Sequence, residues 1–431
     1  MVGLTWRFGR RICSPSVGLV AAALLAFAPE SILWGGRVRM YAPLQFFVLL
    51  ATVAFYRWIV EGQDRPAERW LFVLAYWGAL FSHAEAMLLW PIWALWALLQ
   101  RGWRWCLRLP TLAALVLSGS SIAIEITLRR IGPPVQARVS AGVLVPLERQ
   151  YLGAALDWPG IQKVVQPLFL TPLYLPLTAL VLAGIGYLLL TWLRPRPDSR
   201  QVQPLAQRPL LYLYALTLPT LALLLFVVDP EWKSPRYGLM LQPHYFLLGA
   251  ILLVRLGGWL REWIGSRREP WQTLWGLAAT TVVVALIALS SWPLALAAAT
   301  ENVPGYDWAF AYVEEHQQPG EVVITFLCPA AFFHLGRCDY LAIPNDYAGF
   351  AFQQDGRWIS GWDGVPLLDS GQDLRRALSA APGAWFVVDE GRFTRRYDPD
   401  FVQAVLEEMD LVAAERRMVI FSQRPILEDG Q

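Results

Sequence analysis

Lysine is nearly absent from this chain: only Lys163 and Lys233 occur among 431 residues, and charged residues of every kind make up just 16%. Soluble domains carry about a quarter charged residues, so a chain this poor in charge and rich in Trp and Leu points to lipid as part of its solvent. The charge that exists is unevenly spread. Residues 1–299 hold 26 Lys+Arg and 13 Asp+Glu, whereas residues 300–431 hold 10 and 21. That asymmetry divides the chain into a basic, apolar part, 1–299, and an acidic part of ordinary polarity, 300–431. No nucleic-acid-binding signature is present, and the Arg clusters are accounted for by membrane topology. No cleavable signal peptide is evident: MVGLTWRFGRR has no apolar region of its own, and the run after it lacks a small-residue cleavage site. Of four cysteines, Cys13 and Cys106 lie at helix ends and read as small core residues. Cys328 and Cys338 lie in the acidic part, where an oxidising compartment permits a bridge but spacing alone leaves the pairing open.

What is present is a series of apolar runs near the length of about 20 residues needed to cross a bilayer: 13–34, 41–60, 109–128, 172–193, 209–228, 238–259 and 272–298. The stretch 70–100 is apolar except for Ser82, His83 and Glu85 at its middle, long for one pass and short for two. Charge decides between them, because cytoplasmic connections carry the excess Lys and Arg. Two passes place 17 basic residues inside and 9 outside. One pass would expose RPRPDSR and RLGGWLREWIGSRR outside. The expectation is a polytopic α-helical membrane protein of about nine helices. Its N-terminus is cytoplasmic, it sits in the plasma (inner) membrane, and a C-terminal soluble α/β domain is extracellular or periplasmic.

In the acidic part, helical runs at 307–317, 371–380 and 399–409 alternate with strand-like runs at 322–327, 384–389 and 417–423, which implies a small α/β layer. Asp398-Pro399 is a strong helix start, and Ser370 with Asp373 resembles a capping box. No glycine-rich phosphate loop, serine nucleophile elbow or metal-ligand spacing occurs in this part. Its expected role is structural or substrate-positioning, and no cofactor is evident.

Nine basic residues fall outside against the topology rule, Lys163 and Lys233 among them. Cations gathered there suggest an anionic ligand, although Arg129 and Arg130 also read as helix caps meeting headgroups. Three outward segments stand out: PESILWGGRVRMYAPLQFF with Glu30, Arg39 and Tyr41; FSHAEAMLLWP with His83 and Glu85; and DPEWKSPRYGLMLQPHYFLLGAILL with Lys233, Arg236, Tyr237 and His244. Polar groups near membrane depth are costly unless they meet partners, water or substrate. Taken singly, Arg39 and Arg236 also read as headgroup snorkels, and Tyr41 and Tyr237 as interfacial aromatics.

The order of these segments resembles the GT-C glycosyltransferases, in particular the dolichyl- or undecaprenyl-phosphate-sugar mannosyltransferase-like group of family 39. The matching pieces are Pro29 leading to Arg39, Tyr41 and QFFVLL; the break at Ser82-His83; and Arg236-Tyr237 followed by Pro243. The resemblance implies inverting sugar transfer on the outer face from a polyprenyl-phosphate-linked donor to a glycan, lipid or protein acceptor. Arg39, Lys233 and Arg236 would then hold the donor phosphate, and Tyr41, His83 and Tyr237 would line the substrate site. It also implies a general base on an acidic loop after an initial helix. The chain opens at what resembles the third helix of that group, so it reads either as a fragment whose start was placed too late or as an N-terminally truncated form lacking that loop. Glu30 and Glu85 are the best-placed remaining carboxylates for the base. A second reading rests on the missing loop: a non-catalytic membrane component or binder of lipid-linked sugars. A transporter would require inverted repeats, and none is visible.

Overall fold

In the computed structural model the chain forms two units, Met1–Arg129 with Tyr151–Glu301, and Arg130–Gln150 with Asn302–Gln431. The structure describes residues 1–36, 40–131, 137–140, 143–146, 157–193, 208–228, 233–263, 269–300, 304–345 and 349–423. The division expected at 299/300 therefore needs one amendment. Residues 130–150, read from hydropathy as a connection of the helical part, belong to the second unit.

The named elements of the first unit, among the described residues, are helices. Its helices are α1 (Val2–Ile12), α2 (Pro15–Ala26), α3 (Pro29–Gly36), α4 (Tyr41–Phe55), α5 (Pro66–Ser82), α6 (Leu89–Arg101) and α7 (Trp103–Cys106). After these come α8 (Leu109–Ile131), α9 (Trp158–Phe169), α10 (Leu175–Leu193), α11 (Arg208–Phe226), α12 (Pro235–Gly238), α13 (Gln242–Trp263) and α14 (Glu269–Ala299). Among the described residues five helical stretches are long and apolar enough to cross a membrane: Tyr41–Val60, Leu109–Thr127, Pro209–Phe226, Pro235–Trp259 and Ala278–Ala299. The pair α2 and α3, bent by 59°, makes a sixth if counted as one span. Pro29 at the start of α3 has no N–H to continue the ladder of α2, which accounts for the break. The other three expected passes correspond to the shorter helices α5, α6 and α10.

Helix α1 is amphipathic. It buries Phe8 and Ile12 and crosses α2 where two glycines meet, a Cβ on Gly9 falling 2.8 Å from Gly18 Cα. Deeper in the bundle an aromatic core joins α4, α5, α6 and α11, with ring centroids 5.2 Å apart for Phe55–Phe72, 5.3 Å for Phe72–Trp93 and 6.2 Å for Phe55–Tyr212. Such pairs add about 0.5–1.5 kcal/mol each beyond area burial. One end of the bundle is tied by charge. Arg11 meets Glu61 at 2.6 Å, Arg57 meets Glu68 at 2.5 Å, Arg69 meets Asp64 at 2.6 Å, and Arg101 Nε donates to Ile59 O at 2.8 Å. These residues come from the segments read as cytoplasmic. Helix α4 and the turn Tyr56–Val60 that prolongs it rise about 30 Å, which puts Tyr41 at the opposite end.

The second unit is an α/β layer structure. Its strands are β1 (Ala137–Ser140), β2 (Val143–Pro146), β3 (Val322–Thr325), β4 (Tyr340–Ala342), β5 (Gly349–Gln354), β6 (Arg357–Ser360), β7 (Leu367–Leu368), β8 (Ala384–Asp389), β9 (Asp410–Glu415) and β10 (Met418–Ser422). Its helices are α15 (Tyr306–His316), α16 (Cys328–Leu335), α17 (Gly371–Ser379), α18 (Glu390–Arg396) and α19 (Pro399–Glu408). The larger sheet has the order β7-β4-β3-β8-β10-β9. Strands β7, β4, β3 and β8 run parallel, and β10 and β9 add antiparallel. Strand β8 is buried along its whole length, and the period of two sorts its side chains. Phe386 and Val388 join Leu374, Phe393 and Phe401 of α17–α19 on one face, while Trp385 and Val387 join Phe310 of α15 and Ala331 of α16 on the other. The smaller sheet, β2-β1-β5-β6, is built from two distant chain segments. Its β5–β6 hairpin turns through Asp355 (φ 51°) and Gly356 (φ 75°), the left-handed pair a two-residue hairpin demands.

The expected helix starts are present. Asp398 caps α19 by accepting from Asp400 N at 2.9 Å, and Ser370 Oγ accepts from Asp373 N at 3.2 Å. Cys328 and Cys338 are bonded, with Cα atoms 5.4 Å apart and a sequence separation of 10. Closing so short a loop removes about 3 kcal/mol of chain entropy from the unfolded state. Cys328→Ser is therefore expected to lower the stability of this unit by about 2–3 kcal/mol, read as a lower unfolding midpoint of the oxidised protein. An unchanged midpoint would remove the bridge from the stability account.

Candidate functional site

The chain breaks where the polar residues interrupt the 70–100 run. Helix α5 ends at Ser82, whose hydroxyl bonds back to Gly78 O at 2.6 Å, and His83 then turns extended (φ −160°, ψ 133°). A 3-10 turn, Ala84–Leu88, leads into α6, and His83 Nδ1 accepts from Glu85 N at 3.3 Å to cap it. The imidazole and the carboxylate are thus presented side by side, with His83 Nδ1 and Glu85 Oε2 3.7 Å apart.

Against this break stand the first residue of α4 and the short helix α12. The rings of Tyr41, His83 and Tyr237 form a triangle with centroid separations of 5.8 Å (Tyr41–His83), 5.4 Å (His83–Tyr237) and 6.1 Å (Tyr41–Tyr237). Trp34 of α3 extends it, 4.9 Å from Tyr41. Arg236 lies over two of these rings, its Cζ 5.7 Å from Tyr41 and 5.0 Å from Tyr237, and its Nη2 donates to the Tyr237 hydroxyl at 3.2 Å. Cation–π contact holds a guanidinium without satisfying its N–H groups. Arg236 Nε is accordingly buried with no acceptor among the described residues. Glu85 is within electrostatic reach of Arg236, yet its Oε2 is also buried without a hydrogen-bond donor.

Lys233, three residues before Arg236, is fully buried. Its aliphatic stem passes Gly160 on α9, where a Cβ would stand 3.0 Å from Lys233 Cδ, so a side chain there would obstruct it. Its Nζ lies 3.9 Å from Asp157 Oδ2, beyond hydrogen-bond length, and finds no acceptor among the described residues. A buried ammonium left this way is costly unless a further partner completes it.

Glu30 has a different setting. Its Oε2 accepts from the Tyr174 hydroxyl at 2.9 Å and from Gln242 Nε2 at 3.4 Å. Gln242 Oε1 in turn accepts from the Ser31 hydroxyl at 2.7 Å, and Gln45 Nε2 donates to Leu239 O at 3.0 Å. With Gln45 Nε2 also donating to the Ser31 hydroxyl at 3.4 Å, this network ties α3, α4 and α13 to the turn before α10, and Glu30 is a satisfied member of it.

Of the residues singled out from sequence, the structure brings together Tyr41, His83, Glu85, Arg236 and Tyr237, with Lys233 three residues from Arg236 in a neighbouring buried position. Glu30 lies one helical turn from Trp34 on α3 but is engaged elsewhere. Arg39 lies outside the described residues. His244 departs from the group: it is buried deeper, with Nε2 2.8 Å from the Thr52 hydroxyl. The sequence reading did not foresee Trp34, Tyr174 or Gln242, because a Trp or Gln in an apolar helix carries no signal of its own.

No protein-family model and no curated protein matches this chain. Solved structures do match, two of them as follows. The crystal structure of ArnT from Cupriavidus metallidurans bound to undecaprenyl phosphate matches over 100% of this chain and 83% of its own, with a TM-score of 0.57 at 14% identity. The apo form of that protein matches over 100% and 82%, with a TM-score of 0.55 at 14% identity. These likenesses do not show the family 39-like, mannosyltransferase-like assignment. At this identity what they show is the fold: a multi-pass helical membrane protein carrying a C-terminal α/β unit.

Proposed function

We propose that this chain is a membrane glycosyltransferase that moves a sugar from a polyprenyl-phosphate carrier to an acceptor on the outer face of the plasma (inner) membrane. The observation that carries the reading is a pair of buried cationic donors, Lys233 Nζ and Arg236 Nε, without acceptors among the described residues and three positions apart. Unsatisfied buried donors of one sign are what an anion site presents before its anion arrives. A polyprenyl tail lies in the bilayer, so its phosphate sits at the interface, within reach of residues at a bundle end.

In the step proposed, an acceptor hydroxyl attacks the anomeric carbon and the bond to the carrier's phosphate oxygen breaks. The electron pair leaves on the phosphate, where Arg236 and Lys233 stabilise the growing charge. The hydroxyl proton passes to a carboxylate. Glu85 is better placed than Glu30, since its Oε2 is unoccupied whereas that of Glu30 already accepts two hydrogen bonds. Tyr41, His83 and Tyr237 form the wall against which the sugar is held. Arg39 is proposed as a third phosphate ligand.

The number of passes is supported by strand pairing. Strand β1 comes from the connection between α8 and α9 and pairs with β5 of the C-terminal segment, so both belong on one side of the bilayer. That requires an even number of passes between them, as the four passes α10, α11, α13 and α14 provide. Trp362, 63% exposed in the second unit, offers the check. In a Cys13→Ser, Cys106→Ser background, Trp362→Cys in intact cells is expected to react with an impermeant maleimide. Reaction only after permeabilisation would reverse the topology.

Lys233 separates a ligand role from a structural one. Exchanging a buried ammonium without a hydrogen-bond acceptor for an apolar side chain of similar volume removes the cost of burying the charge. Lys233→Met is therefore expected to leave the unfolding midpoint unchanged or raised while KM for a polyprenyl-phosphate sugar rises about tenfold or more. A lower midpoint with unchanged KM would make Lys233 a structural residue and remove the observation on which the proposal stands.

A further inference from the structure

The C-terminal unit holds a second cationic group that the transferase reading does not use. Strands β3 and β8 lie side by side and parallel, with Thr325 opposite Val387. The chain leaves them toward opposite faces of the sheet. After β3 it enters α16, whose Cys328 and Ala331 pack with Val323 and Ile420. After β8 it enters α18, whose Phe393 packs with Ile324 and Phe386. Divergent connections of this kind open a crevice beyond the carboxyl ends of the two strands, the place where open α/β sheets take ligands.

Three side chains converge there. Phe326 follows β3, Asp389 ends β8, and Arg392 lies on α18. The Arg392 guanidinium carbon is 4.0 Å from the centre of the Phe326 ring, and its Nη1 is buried with no acceptor among the described residues. Asp389 is committed elsewhere: its Oδ1 accepts from the backbone N of Arg392 at 3.2 Å, and its Oδ2 faces Arg417 Nη2 at 3.5 Å. Arg417 is held by an unusual turn. The β9–β10 hairpin passes through Arg416 and Arg417 with φ of 49° and 65°, a left-handed pair made without glycine or asparagine. The backbone fixes it, with Glu390 N donating to Arg417 O at 2.9 Å and Gly305 N donating to Arg416 O at 3.1 Å. Strained non-glycine backbone of this sort collects beside binding sites.

We propose that the crevice at the carboxyl ends of β3 and β8 binds an oxyanion, a phosphate or carboxylate group, through Arg392. Phe326 fixes the guanidinium plane, and the Asp389–Arg417 pair keeps the carboxylate from occupying it. The planar fork suits two anionic oxygens at once. The site is separate from the donor site and does not depend on the transferase reading. Free phosphate and a phospholipid headgroup present the same chemistry.

Hydrogen–deuterium exchange of the full chain in neutral phosphatidylcholine nanodiscs tests the proposal, with Arg236→Gln as background so that the donor site is silent. One arm adds inorganic phosphate at constant ionic strength; the other replaces part of the lipid with phosphatidylglycerol. Phosphate at ten times its dissociation constant is expected to slow exchange about tenfold in peptides covering Phe326 and Arg392. Slowing in the first arm identifies a soluble anion as the ligand, and slowing only in the second identifies the headgroup. Unchanged exchange in both arms overturns the site. Arg392→Gln is expected to abolish the effect, and persistence in that variant overturns the assignment to Arg392. Should Arg392→Gln not accumulate, Arg392→Lys, which keeps charge without the fork, is expected to raise half-saturation about tenfold; an unshifted value has the same overturning force.

Discussion

Arg236→Gln is expected to lower kcat/KM for transfer from a polyprenyl-phosphate sugar by about 10²–10³-fold, the usual effect of removing one donor aimed at developing transition-state charge. The glutamine keeps a donor and much of the length but loses the charge, and with it the cation–π contacts to Tyr41 and Tyr237 at 5.7 and 5.0 Å. Membrane insertion should not change, because orientation is set by the basic residues of the opposite bundle end. Arg236→Lys separates charge from geometry. A point charge recovers part of the rate, but a lysine cannot span two phosphate oxygens while lying flat on two rings. Transfer measured in proteoliposomes decides the matter, and turnover of Arg236→Gln equal to the parent would end the phosphate-clamp assignment.

Glu85→Gln should stop the chemistry without disturbing the fold. A general base contributes about 10²–10⁴-fold, and the substitution removes proton-accepting capacity while preserving shape. The buried Oε2 has no donor to lose, so stability should hold or improve. Glu30→Gln is the counterpart. Its carboxylate accepts from Tyr174 and Gln242, and weakening charge-assisted hydrogen bonds costs about 1–2 kcal/mol while turnover persists. If the two variants exchange these phenotypes, the base is Glu30. If neither changes kcat, the proton leaves by another route and the catalytic role of both falls.

The membrane part was largely legible because hydropathy and charge act on whole segments. The break inside 70–100 was readable since Ser82, His83 and Glu85 interrupt an otherwise apolar run, and the chain turns extended at His83. The gathering of Tyr41, His83, Glu85, Arg236 and Tyr237 was readable to the extent that such residues at membrane depth are expensive. The partners that define their state were not. Nothing local to Gln242 or Tyr174 announces that Glu30 is occupied by them, and that occupancy distinguishes Glu30 from Glu85.

In the C-terminal unit the long central elements followed from local signals: β8 spans Ala384–Asp389 and α19 begins after its Asp398-Pro399 cap. The short outer strands β4 and β7, three and two residues long, have too few positions to show a period. The β5–β6 hairpin carried a usable signal, Asp355-Gly356 between apolar runs, that the reading of strands by apolar run length passed over. Strands β1 and β2 could not be assigned to this unit from sequence, because their partner lies far along the chain.

That distance has a consequence for assembly. Val139 of β1 pairs with Gly349, more than two hundred positions later. During synthesis the β1–β2 hairpin emerges first, and an isolated hairpin is marginal in water. It waits with one edge unpaired while α10, α11, α13 and α14 are still being made. Non-local pairing of this kind is slow, and an exposed strand edge in the interval invites wrong partners. Completion of the small sheet is therefore a late event in biogenesis, and a nascent chain arrested before β5 would display an open edge that quality-control machinery can detect.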